Sequence, residues 1–449
     1  MDNIKQQSRS KKMAKDFRVY SIGVIGSKLM TFLLLPLYTH YIKDPAEYGY
    51  YDYCLTACLL LLPIVTLQLR DGAFRFLLDT QDTTERSRIV TLINKLLLQT
   101  TFITILVALA LYFIYPIKHL GYTTILLIVM SFYEVYTQTV RGLGNNRSFI
   151  IMGLSASLGI GVLSVLFLVI LHMGVEGIFL ANIIARIIAV VAVDWHNKVL
   201  KQYFKPSLKG YKELQRNILK FSLPLLPAAI CWWFVSYSNR YFIKEYLSMY
   251  DSGIYGVASR LAIVVQSIAI IFYQTWQENA IQQYHSKDKN HFFTKVFNIY
   301  IIAFVTVTLF YTFGANLVFP YVFNETYIKS LDYLYQLSIA TVLFALSSYF
   351  EVIYHCEKKT NRLLPPVIMG PIINVILNLI LIKPLGVNGV IISYAVTYLF
   401  IIVYRWFDVK KYIQIKFYPT TFIPVGLLVV GAIPFIFKTS AIIDILLMI

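Results

Sequence analysis

Apolar residues collect along this chain in runs of about 20, and a helix of that length reaches about 30 Å, the thickness of bilayer hydrocarbon. The runs lie near 19–41, 50–69, 89–115, 121–140, 149–171, 177–194, 218–238, 253–275, 292–313, 331–354, 363–382 and 387–404, and a thirteenth covers 419–437. The stretch 441–449 is apolar apart from Asp444 but too short to cross alone, so it either begins a fourteenth crossing or lies along the interface. Branched and aromatic side chains fill the runs without the period-two alternation of an outer-membrane barrel. The pattern predicts an all-α, polytopic membrane protein.

Composition agrees, with 58% hydrophobic and 14% charged residues in 449. A net charge of +17 suggests nucleic acid at first sight, but in a membrane protein the informative property is its sidedness. Most of the 40 Lys and Arg fall in every second connection, counted from the basic segment 1–18. The positive-inside rule places those connections, and the N-terminus, in the cytoplasm. No small-residue cleavage site follows the first run, which is therefore expected to be a retained span.

The longest polar connection, 196–216, carries Lys198, Lys201, Lys205, Lys209 and Lys212 and divides the chain into two sets of six spans. These are an N-lobe, 19–195, and a C-lobe, 217–404, with 405–449 supplying one or two further helices. Short matches relate the halves: Tyr41-Ile42-Lys43 then Glu47-Tyr48-Gly49 against Phe242-Ile243-Lys244 then Ser252-Gly253-Ile254-Tyr255. Asn145-Asn146-Arg147 and Gly174-Val175-Glu176-Gly177 likewise match Thr360-Asn361-Arg362 and Gly386-Val387-Asn388-Gly389. Six is even, so both copies enter the membrane in one orientation, a parallel repeat about an axis along the membrane normal with the substrate path between the lobes.

Charges inside the runs carry the candidate chemistry, because a lysine facing lipid at mid-membrane costs about 3 kcal/mol or more. Lys28, Arg186 and Arg260 lie at depth in the first, sixth and eighth runs. Each is either neutralised by an acid on a neighbouring helix, Arg186 by Asp194 or Glu134 for example, or faces a cavity and an anion. Lys28 and Arg260, with no acid in their own runs, are expected to do the latter. Arg70 and Arg75 follow the second run and Arg240 closes the seventh, as interfacial anchors or as a grip on a diphosphate, which Arg binds in bidentate fashion. Glu134 either carries a coupling proton or satisfies a buried cation. Asn374 and Asn378 share a helix face suited to interhelical hydrogen bonds, and Tyr38, Tyr41, Tyr48, Tyr50, Tyr51 and Tyr53 form an aromatic belt or stack on sugars. Cys54 and Cys58 lack the companions of a metal site, and no HExxH, GxSxG or GxxxxGK[ST] stretch occurs. The expectation is a transporter of something anionic, neither an enzyme nor an ATP-driven pump, with no bound cofactor and with coupling to H+ or Na+ left open.

Leu35-Pro36-Leu37-Tyr38-Thr39, Glu47-Tyr48-Gly49-Tyr50-Tyr51-Asp52 and Arg70-Asp71-Gly72-Ala73-Phe74-Arg75-Phe76 resemble the opening of polysaccharide-transport proteins. These are the Wzx-like flippases of O-antigen and capsule, in the multidrug/oligosaccharidyl-lipid/polysaccharide exporter (MOP) superfamily. The resemblance implies a bacterial inner-membrane protein that moves an undecaprenyl-diphosphate-linked oligosaccharide from the cytoplasmic to the outer leaflet by alternating access. It further implies a cationic central cavity lined by the helices of Lys28 and Arg260, with Arg70 and Arg75 at a cytoplasmic entrance. The partners implied are the lipid-linked glycan, membrane lipids, and a polymerase with other glycan-assembly proteins; nucleic acid is not among them. Rivals are a lipid II flippase, which shares the diphosphate carrier, a cation-coupled drug antiporter, which needs acids where this chain has Lys28, and a glycan polymerase or ligase, which needs larger outer loops.

Overall fold

A computed structural model describes residues 30, 32–115, 117–205, 211–357 and 359–437. Lys28 and the stretch 441–449 lie outside the described residues. The described chain is helical throughout, beginning with α1 at 32–41. Next come α2 (Pro45–Thr66), α3 (Leu69–Asp79), α4 (Thr83–Ile114), α5 (Leu120–Gly142), α6 (Asn146–Val165) and α7 (Val175–Asn197). The short α8 (Val199–Tyr203) and α9 (Lys212–Ser222) lead to α10 (Leu226–Tyr246), α11 (Met249–Gln283), α12 (Lys289–Val322), α13 (Ser330–Cys356), α14 (Leu364–Val409) and α15 (Pro419–Phe437). Among the described residues, ten helical stretches are long and apolar enough to cross a membrane. This bears out the all-α polytopic class.

Two elements depart from one run, one helix. The second run gives α2 and then a separate, amphipathic α3, because Leu67 and Gln68 both adopt left-handed backbone angles, with φ of 49° and 52°. The turn is closed by Gln68 N–H donating to the Pro63 carbonyl at 3.1 Å. It places Arg70 and Arg75 on a helix of their own. The runs 363–382 and 387–404 join as α14, which breaks at Gly386, where φ is +59° and ψ is −138°. Only glycine occupies that region without strain, so the break is written locally.

The described residues form two compact units, one from the stretch up to Tyr41 with Cys54–Ile230, the other from Ile42–Tyr53 with Cys231 onward. In the first unit α3 packs Leu69, Ala73 and Leu77 on Ile89, Val90 and Ile93 of α4, with Val135 and Ile218 closing the cluster. The second has an aromatic core in which Trp276 stacks on Tyr349 at 4.7 Å between ring centres and donates its indole N–H to the Tyr349 carbonyl at 3.3 Å. Phe293, Phe297, Tyr300 and Phe350 complete it. Large apolar side chains such as Phe113 and Phe310 stand outward, as expected where the surrounding solvent is hydrocarbon.

Candidate functional site

The most highly charged buried cluster described in the second unit starts from a close helix crossing. A Cβ on Gly49 of α2 would collide with the Met249 carbonyl and the Gly253 backbone of α11, and one on Gly253 would collide with the Pro45 carbonyl. Two glycines thus let two backbones touch, as small residues do at membrane helix interfaces. One turn further along α11, Gly256 leaves space for the Asp52 carboxylate, which would lie 3.0 Å from a Cβ there. Asp52 is thereby carried into the protein, 3% exposed.

Two arginines meet it. Arg240 of α10 donates through Nε to Asp52 Oδ2, and Arg260 of α11 donates through Nη2 to Oδ1 at 2.9 Å. Arg240 also donates to the Ser259 hydroxyl. At 5% and 6% exposed, neither guanidinium is a surface anchor. Tyrosines surround them: Arg260 lies 5.2 Å and 5.5 Å from the ring centres of Tyr48 and Tyr51, and Arg240 lies 5.6 Å and 5.9 Å from those of Tyr255 and Tyr237. Cation–π attraction of this kind strengthens with desolvation. Two cations share one carboxylate, so the triad keeps a net single positive charge. Arg240 and Ser259 also line a cavity of about 80 Å³ with Trp232, Tyr237, Tyr255 and Gln266. That cavity joins a positive charge, hydrogen-bonding groups and aromatic faces, the donor set that suits a phosphate with a sugar beside it.

Sequence points to Arg260 as an anion-facing cation and leaves Arg240 as an anchor or a diphosphate grip, and it pairs neither with Asp52. Arg240 and Arg260 lie 188 and 208 residues from Asp52, so only packing joins them. The other described charged candidates belong to the first unit. Arg70 of α3 meets Glu134 of α5 at 3.4 Å and Asp71 at 3.5 Å, so these two candidates do come together. Arg75 pairs with Asp79 one turn on, at an exposed position. Arg186 donates to the Asn182 carbonyl and side-chain oxygen, each at 2.8 Å, and lies 5.9 Å from the Tyr133 ring centre. The expected neutralisation of Arg186 by Asp194 or Glu134 is corrected: Asp194 accepts from the Tyr136 hydroxyl at 2.8 Å and the Leu200 N–H at 3.0 Å, and Glu134 takes Arg70. Asn378 does form an interhelical bond, donating to Asn239 of α10 at 3.0 Å, and Asn374 donates to Thr397 at 3.4 Å across the break within α14.

Comparison with known proteins adds the relationship. No curated protein matches the sequence. Among solved structures the chain is similar to the lipid II flippase MurJ in an inward closed conformation, with a TM-score of 0.69 and 15% identity over 96% of this chain and 97% of that one. It is also similar to an inward-facing multidrug resistance MATE family transporter of the MOP superfamily, with a TM-score of 0.65 and 13% identity over 86% and 95% of the two chains. At such identities the likeness establishes the fold. The family described as polysaccharide biosynthesis protein matches residues 13–276, more than half of the sequence and the part that contains Asp52, Arg240 and Arg260. With this match, and with a fold shared with MOP superfamily members, the chain belongs to the polysaccharide biosynthesis protein family.

Proposed function

We propose that this protein is a flippase of the bacterial inner membrane, carrying an undecaprenyl-diphosphate-linked oligosaccharide repeat unit from the cytoplasmic to the outer leaflet. Family membership and the fold support a transporter of this kind. The observation that carries the substrate class is the buried Arg240–Asp52–Arg260 triad with its excess of positive charge. A diphosphate competes with Asp52 for the two guanidiniums, and release lets the carboxylate return to them. Binding therefore exchanges one anion for another in place of exposing bare cations, which keeps both states accessible. Trp232, Tyr237 and Tyr255 offer faces to sugar rings, while the polyprenyl chain, at home in hydrocarbon, need not leave it.

The test is made in a strain lacking the protein. Lipid-linked oligosaccharides are extracted, and their leaflet is determined with an impermeant sugar-modifying reagent applied to intact cells. Completed repeat units should accumulate out of the reagent's reach, and restoring the wild-type protein, but not Arg240→Ala made at equal level, should clear them. Normal labelling of the glycolipid in the deletion strain would overturn the proposal. The lipid II reading rests on the similarity to MurJ and shares the carrier chemistry; accumulation of a peptidoglycan precursor in its place selects it.

A further inference from the structure

The connection between α14 and α15 is tied down along its length in the second unit. On α12, Asn290, Thr294 and Asn298 recur every four residues on one face and bind successive backbone groups of the connection. Gln414 N–H donates to Asn290 Oδ1 at 3.1 Å, Lys416 N–H to Thr294 Oγ1 at 3.3 Å, and Tyr418 N–H to Asn298 Oδ1 at 2.8 Å. Asn298 Nδ2 returns a bond to the Lys416 carbonyl at 2.8 Å. An extended segment without helix bonds of its own is thereby held rigid.

Beside this strap lies an apolar pocket of about 290 Å³, lined by Phe297, Phe350, Val403, Trp406, Phe407 and Phe417 among others. Phe417 of the strap closes one wall by stacking on Trp406 at 5.3 Å between ring centres. Val403, Phe407 and Phe417 are 44%, 64% and 46% exposed, so the pocket opens outward from the helices. Lys410, Lys411 and Lys416, all exposed, lie within a few residues of the lining residues Phe407 and Phe417. Lys410 Nζ stands 5.6 Å from the centre of the Phe407 ring. Asp408, the acid within this group, accepts from both Lys411 at 2.9 Å and Arg362 at 2.7 Å, so cations remain in excess.

We propose that this is a binding site for an anionic phospholipid: one acyl chain fills the pocket, and the phosphate headgroup is held by Lys410, Lys416 and, in part, Lys411. Concavity separates it from ordinary lipid-facing surface, and its basic rim sets the headgroup charge; basic pockets beside membrane helices select anionic headgroups on this principle. The strap fixes the aromatic wall and the backbone of Lys416, so the apolar part of the site is formed before the lipid arrives. It stands apart from the Arg240–Asp52–Arg260 triad and does not depend on what the protein transports.

Trp406, one of five tryptophans, reports on the pocket directly. The full chain is placed in phosphatidylcholine bilayers doped at one mole fraction with either brominated phosphatidylglycerol or brominated phosphatidylcholine. The fluorescence lost on Trp406→Phe gives the Trp406 component in each. Phosphatidylglycerol should quench that component several-fold more strongly at low doping. Replacing Lys410, Lys411 and Lys416 together by Gln should erase the difference, at roughly fivefold in local preference for each fully engaged lysine. Equal quenching by the two lipids, a preference that survives the triple replacement, or quenching by neither because protein covers the pocket would each overturn the proposal.

Discussion

At the scale of single residues, Asp52 is worth more than either arginine it meets. Removing one member of a buried ion pair leaves an uncompensated charge, a loss of about 3–5 kcal/mol. Asp52→Asn leaves two buried guanidiniums without a carboxylate, whereas Arg240→Gln leaves a balanced Asp52–Arg260 pair. Thermal unfolding in detergent should therefore show Asp52→Asn well below wild type and Arg240→Gln much closer to it. Equal losses, or the reverse order, would remove Asp52 from the centre of the cluster. Glu134 offers a second residue-scale observation: it holds Arg70 at 3.4 Å, so its carboxylate serves a cation on another helix.

At the scale of elements, the crossing of α2 and α11 decides whether the triad exists. The atoms facing Gly253 are the Pro45 carbonyl group and the Gly49 backbone, which cannot swing aside as a flexible side chain does. Gly253→Val should separate the helices, withdraw Asp52 from Arg240 and Arg260, and abolish glycolipid clearance while the protein stays in the membrane. Gly153→Ala in α6 is the control, since a Cβ there meets nothing within 4 Å and alanine is the better helix former by about 1 kcal/mol. Clearance by Gly253→Val at the wild-type rate would show that the crossing is not needed. The same crossing sets Asp52 of α2 beside the space that Gly256 of α11 leaves by having no side chain.

At the scale of the whole molecule, the charge pattern predicts a topology, in which the connection 196–216 is cytoplasmic and the connection between α12 and α13 lies outside. In a variant without its four native cysteines, an impermeant maleimide should label Glu325→Cys in intact cells and Lys198→Cys only after permeabilisation. The opposite labelling would invert the direction of transport proposed above.

The sequence by itself determined the helices, because run length, apolarity and a break such as Gly386 are properties of a few neighbouring residues in a solvent that forbids unpaired backbone. It also carried the family likeness in 35–76 and the presence of charges that must be accommodated inside the membrane. The tertiary structure alone decided which charge met which. Arg260 was legible as a buried cation, but its acid lies on another helix, and Arg186, for which Asp194 or Glu134 was one of two expectations, is served by Asn182 on its own helix. Partner choice depends on how closely two helices approach and how they are rotated, and a glycine crossing fixes both for Asp52. No periodicity along one strand of sequence contains that information.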